Sequence, residues 1–290
     1  MKKTSFKAFS LVEISVVLLI ISAVIAGIVK GNNMLTKSRL STAQTLTQNA
    51  PLKDMPDLVL WLETSLDSSF ILDEIGDGNS LTTWYDSNPD AATKNNATQA
   101  INANRPKYDE SIFYDSIPAV KFDGFDDFMN FSGDALINIS YTVFVIEQKT
   151  IGKNFNIFIG GNGTSTNSNL YLGYETDQTI TMGQYGHDLD YTSAPLAFST
   201  PTTRMHTFLL KAASGGGKQY WLNGGGTPEA SNAQVAPLAS FLSPTIGKYN
   251  GSEYFDGNIG EIIIFNRALR TEERQLIETY LSKKYNIKIS

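Results

Sequence analysis

The sequence predicts a long N-terminal α-helix followed by an all-β jelly-roll sandwich with a C-terminal amphipathic helix. Three observations carry this. An apolar run extends from Phe9 to Val29. From Asp57 onward, short β-rich segments alternate with turns rich in Gly, Asn, Asp and Ser. After Thr271 the apolar spacing lengthens to the helical period.

The apolar run comes first. Its 21 residues span roughly 30 Å as a helix, about one hydrocarbon core. Lys2, Lys3 and Lys7 precede it, which places the N-terminus on the cytoplasmic side. A secretory signal peptide and a plain signal anchor are the two ordinary readings. Glu13 suits neither, because an ionisable group inside such a segment is costly and usually functional. The helix continues more weakly through Met34, Leu35, Leu40, Ala43 and Leu46. Pro51 and Pro56 then bracket PLKDMP, read as a linker over 51–56.

The strands follow in order: LVLWL (58–62), PAVKF (118–122), YTVFVIE (141–147), NLYLGYE (169–175), RMHTFLLKA, KQYWLNG and GEIIIFN. Between them lie turn signals such as GGNG (160–163), SGGGK (214–218) and NGGG (223–226). SGGGK lacks the surrounding residues of a phosphate loop and reads as a hairpin. At the end, Thr271 is the expected N-cap, with Glu272 and Glu273 in the first turn. Leu276, Ile277, Tyr280 and Leu281 form the expected packing face.

Composition excludes several functions. The net charge is −6, which argues against nucleic acid as a partner. Without cysteine there is no disulfide framework, thiolate metal site or cysteine nucleophile. His187 and His206 are the only histidines, too few for a site built on several of them.

Candidate site residues are polar and aromatic. Asp123, Asp126 and Asp127 in DGFDD offer hard oxygen ligands for Ca²⁺. The alternative is a tight turn whose aspartates cap backbone groups. Asp86 with Asn88, and Asp256, are further polar groups able to meet that turn. Trp61 and Trp84 are expected in the core. Trp221 alternates with Tyr220 and Leu222 and is the expected surface aromatic. The loop YGHDLDY offers Tyr185, His187, Asp188, Asp190 and Tyr191 as sugar contacts, or is a loop without a ligand.

The segment KAFSLVEISVVLLIISAVIAG resembles the N-terminal signal of type IV pilins and pseudopilins. The resemblance covers residues 1–40. It implies cleavage by a prepilin peptidase between Ala8 and Phe9 and methylation of the new amine. It also implies a helix held in the inner membrane before assembly, and packing against other pilin subunits through Phe9 and Glu13. Ala8 departs from the family, which usually has Gly before the cut. Residues 57–288 resemble laminin-G-like (concanavalin A-like) domains, through LVLWLETSLDSS, IPAVKFDGFDDFMNF and the closing GNIGEIIIFNRALRTEERQLIETYLSKKY. The implied organisation is a leader (1–8), a pilin-like helix (9–50), the linker (51–56) and the sandwich (57–290).

Together these predict a non-enzymatic filament subunit. It would reach the cell surface and display a lectin-like domain for adhesion to a glycan or surface protein. Two alternatives stand beside it: a pseudopilin of a type II secretion system contacting cargo or other subunits in the periplasm, and an extracellular enzyme acting on polysaccharide.

Overall fold

A computed structural model describes residues 11–290, so Ala8 and Phe9 lie outside the described residues. The chain is a long helix, α1 (Leu11–Gln48), followed by a β-sandwich and a C-terminal helix, α2 (Thr271–Tyr285).

The sandwich has two antiparallel sheets. The first runs in the order Ala230–Asn232, Gly217–Leu222, Arg204–Lys211, Tyr141–Lys149, Asp256–Phe265, Ile117–Asp123 and Lys107–Phe113. Strand Asp256–Phe265 serves two neighbours on one side. Its start pairs Ile117–Asp123, with Asp256 opposite Asp123, and its end pairs Leu58–Glu63, with Glu261 opposite Glu63. The second sheet runs Leu189–Thr192, Thr179–Gly183, Tyr171–Thr176, Asn156–Gly160, Thr245–Ile246, Met129–Asn130, Ala97–Thr98 and Thr83–Trp84. A small ribbon, Lys248–Tyr249 with Glu253–Tyr254, lies beside Asn156–Gly160.

YTVFVIE is nearly all apolar because both its faces are covered. Val143 and Val145 enter the core between the sheets, whereas Phe144 and Ile146 join a second core beneath the helices. Side chains alternate across a strand, so a strand buried on both faces cannot alternate in polarity. Each such side chain contributes about 1.5–3 kcal/mol on burial. Trp61 and Trp84 are both buried as expected.

The helices pack on the outer face of the first sheet. Ala43 and Leu46 of α1 meet Ile277, Tyr280 and Leu281 of α2 in the second core. Leu52 and Met55 are buried in the same core, and Pro51–Asp54 is a short 3-10 helix. The stretch expected to be a linker is therefore a docked segment. Its apolar residues, spaced three apart, pin it to the sheet.

Beyond this docked base, α1 carries an uncovered apolar surface. From Leu11 to Leu35 its large side chains are exposed, and one 18-residue window has a mean hydropathy of 2.7. Glu13 lies in its first turn.

α2 departs from the sequence expectation in two ways. Its N-cap is Arg270, one residue before Thr271, and Glu273 accepts the Arg270 backbone N–H at 2.9 Å. Arg267 and Arg270 hold the Glu273 carboxyl down at about 2. Leu276 is 51% exposed, while Arg274, Glu278 and Lys284 are buried. The buried face of α2 is thus partly ionic, which hydrophobic periodicity alone does not reveal.

Candidate functional site

The outer face of the second sheet gathers tyrosines and carboxylates. Leu172 and Tyr174 point into the inter-sheet core, so Tyr171, Gly173 and Glu175 face outward. On the next strand, Ile180 and Met182 point inward, leaving Thr181 and Gly183 outward. On the edge strand, Leu189 points inward, leaving Asp190 outward and opposite Thr181.

Gly183 is what lets the Tyr171 ring lie across the sheet. A Cβ at Gly183 would sit 1.9 Å from the Tyr171 ring. Tyr171 in turn packs against Tyr249 and Tyr185, with ring centroids at 4.8 and 5.6 Å. The Tyr249 and Tyr185 hydroxyls are 2.9 Å apart. Tyr185 adopts a left-handed backbone, φ 55°, uncommon for a bulky side chain and frequent at functional sites.

Asp188 organises this cluster. Its Oδ2 accepts the Tyr171 hydroxyl at 2.9 Å and its Oδ1 accepts the Gln184 N–H at 2.6 Å. Burial, with Asp188 alongside, pushes the Tyr171 hydroxyl well above its ordinary value. Burial, then Asp190 and Asp188, also raises the Glu175 carboxyl. The hydroxyl of Thr181 is buried and has no hydrogen-bond partner among the described residues.

The loop YGHDLDY therefore divides. Tyr185, Asp188 and Asp190 belong to this face. His187 Nδ1 lies 2.7 Å from Asn167 Oδ1, and the His187 carbonyl accepts Lys218 from the first sheet. Tyr191 turns toward Tyr220, at 5.6 Å between centroids, and bonds Glu229 at 3.1 Å. Sequence reasoning missed Tyr171, Tyr249 and Glu175. The available signal was the glycine at 183, which marks a close approach within a strand.

Trp221 is buried, contrary to expectation. It does face opposite to Tyr220, but that side is covered by α2. The Arg274 guanidinium lies 3.9 Å from its ring centroid. Arg274 is itself fixed by Glu278 at 2.5 Å, and Glu278 accepts Thr207 Oγ1 at 3.1 Å.

The acidic turn is compact. Carboxylate oxygens of Asp123, Asp126 and Asp127 lie within 4.8 Å of one another. Asp123 Oδ1 accepts the Phe125, Asp126 and Asp127 N–H groups at 2.8, 3.2 and 3.4 Å. Asp127 Oδ2 accepts the Asp123 N–H at 3.2 Å. Burial, then the Asp123 charge, raises the Asp127 carboxyl to about 7. The oxygen set is of the type a Ca²⁺ ion takes, yet its observed bonds cap its own turn. Asp256 does join this turn, opposite Asp123, and bonds Thr150. Asp86 instead fastens its own loop, accepting the Trp61, Asn88 and Asn95 N–H groups at 3.0, 3.0 and 3.1 Å.

No family model matches the chain, and no curated protein matches it in sequence. Among solved structures it is similar to the CBM40 domain of a Ruminococcus gnavus IT-sialidase, at 14% identity and TM-score 0.43, covering 54% of this chain and 94% of that one. The same domain bound to α2,6 sialyllactose gives 14% identity and TM-score 0.45, covering 55% and 96%. A Trypanosoma rangeli sialidase gives 13% identity and TM-score 0.49, covering 86% of this chain and 39% of the sialidase.

Proposed function

We propose that this chain is a filament subunit of the type IV pilin kind that displays a glycan-binding sandwich. The observation that carries the filament half is α1. Its apolar surface is uncovered from Leu11 to Leu35, while its last turns are packed into the sandwich. Such a helix must be covered by lipid or by other helices. In this reading a prepilin peptidase cuts between Ala8 and Phe9. The helix rests in the inner membrane, then packs with copies of itself, and Glu13 meets the amine of a neighbouring Phe9.

The glycan half is supported by the tyrosine and carboxylate face. Flat aromatic rings stack on the apolar faces of sugars, and fixed carboxylates accept sugar hydroxyls. Many weak copies on one filament gain avidity at a cell surface. The aspartates of the 123–127 turn act here as backbone caps, and the proposal needs no cation at them.

The test is a glycan array probed with the full chain in detergent. Binding of a defined glycan that Tyr171→Ala removes supports the reading. Absence of binding to every glycan, or binding that Tyr171→Ala leaves intact, contradicts it.

A further inference from the structure

The charge on the tyrosine face narrows its ligand. Glu175, Asp188 and Asp190 share the face, and the electrostatic effect of Asp188 and Asp190 reaches Glu175. Of the nearby lysines, Lys218 lies beneath the sheet, where Asp188 and Asp190 act on its ammonium, and the others are committed elsewhere. Lys218 reaches from the first sheet to the Met182 carbonyl at 3.2 Å and to the His187 carbonyl. Lys153 donates to the Tyr254 carbonyl at 2.7 Å. Lys248 lies over the Phe128 ring at 4.4 Å, and Lys149 pairs Asp177 at 2.6 Å.

Two further features point to a ligand rather than to a merely acidic surface. The Thr181 hydroxyl, 1% exposed, is unpartnered and lies on this face directly opposite Asp190. A buried hydroxyl without a partner is uncommon in folded proteins and marks a position that an arriving polar group can satisfy. The half-buried rings of Tyr171 and Tyr185 meet edge to face at 5.6 Å, and aromatic π-faces attract cations as well as sugar rings.

We propose that this face binds a polysaccharide with free amino groups, a de-N-acetylated hexosamine polymer. Its ammonium groups meet Glu175 and Asp190, and its rings lie on Tyr171 and Tyr185. This rests on the reading of the face as a glycan site and deepens it. Anionic sugars are disfavoured by the same charges. Neutral sugars gain only the stacking and hydrogen-bonding part.

The experiment compares glucosamine oligomers, N-acetylglucosamine oligomers and sialyllactose, titrated into the full chain in detergent. Glucosamine oligomers are expected to bind about 25-fold more tightly than the N-acetylated ones at low salt, since each of the two contact charges contributes on the order of fivefold in water. High salt should narrow the gap. Glu175→Gln with Asp190→Asn should abolish the preference. The pair Asp73→Asn with Asp77→Asn, both exposed and on another loop, changes net charge equally and should leave it intact.

Equal binding of both oligomers, tighter binding of sialyllactose, or a preference that survives Glu175→Gln with Asp190→Asn overturns the inference alone. A preference lost equally in both double variants marks nonspecific attraction to an acidic protein and also overturns it. Failure of every glycan to bind overturns the glycan reading beneath it.

Discussion

Lys284 Nζ lies 2.8 Å from Glu261 Oε2, and all of this contact is sealed from water. The same ammonium lies 3.1 Å from Glu63 Oε2. Glu261 also accepts Trp61 Nε1, Tyr280 and Tyr285 at 2.7, 2.9 and 3.0 Å. Thr47 of α1 joins through Ser65 at 3.0 Å, and Ser65 donates to Glu63 at 2.6 Å. Burial would raise the Glu63 carboxyl, but Lys284 and the serine hydrogen bonds override it and hold it below the usual value. The hub thus ties α1, strands Leu58–Glu63 and Asp256–Phe265, and α2 into one unit. The last turns of α1 are fixed to the sandwich in this way.

Removing Lys284 leaves two carboxylates buried without their cation. Lys284→Met should therefore destabilise the sandwich by about 3–5 kcal/mol. Denaturant unfolding of the full chain in detergent checks this. A loss below about 1 kcal/mol would mean that the hub holds little of the fold.

Two buried groups give opposite pH dependences. Asp127 has a folded value of about 7, above its unfolded 3.8. The folded state keeps that proton longer, so its stabilisation is full below pH 3.8 and is lost as pH rises to about 7. His206 is held below its ordinary 6.5, chiefly by burial, between Glu147 at 3.0 Å and the Tyr220 hydroxyl at 2.9 Å. Below pH 6.5 the unfolded chain takes a proton that folded His206 refuses, so stability falls on acidification. Asp127→Asn should remove the loss on raising pH, and His206→Gln the loss on lowering it. Stability measured against pH for each variant separates the two.

Trp221 is buried, with the Arg274 guanidinium over its ring. Trp221→Ala opens a cavity under Arg274 and should cost about 3–5 kcal/mol. Glycan affinity of the protein that still folds should be unchanged. A binding defect with normal stability would return Trp221 to the site.

The Tyr171 ring depends on a missing side chain. Gly183→Ala places a methyl group where that ring lies, so the ring must swing out and leave its contacts with Tyr249 and Tyr185. Glycan affinity should fall about tenfold, in the range of one lost stacking contact. A melting temperature taken alongside distinguishes this from unfolding.

The fold was legible wherever one segment carried its own pattern. The strands from Leu58, Ile117, Tyr141 and Asp256 announce themselves by β-branched and aromatic runs between turns. Within YGHDLDY, Tyr185, Asp188 and Asp190 proved to share a face. What escaped is what depends on pairing between distant segments. Glu63, Glu261 and Lys284 are ordinary in sequence and meet only because a strand and a helix return to the first strand. Trp221 shows the same limit. Alternation correctly gives its side of the sheet, but only the packing of α2 decides that this side is covered.

In the proposed function, α1 is a processed filament helix carrying the sandwich. The most direct measurement is the intact mass and N-terminal fragmentation of the protein from its native host. The proposed processing yields a chain that begins at N-methylated Phe9. A chain still carrying Met1 through Ala8 would contradict it. The sandwich would then be tethered by an uncut anchor, and Glu13 would have no neighbouring Phe9 amine to meet.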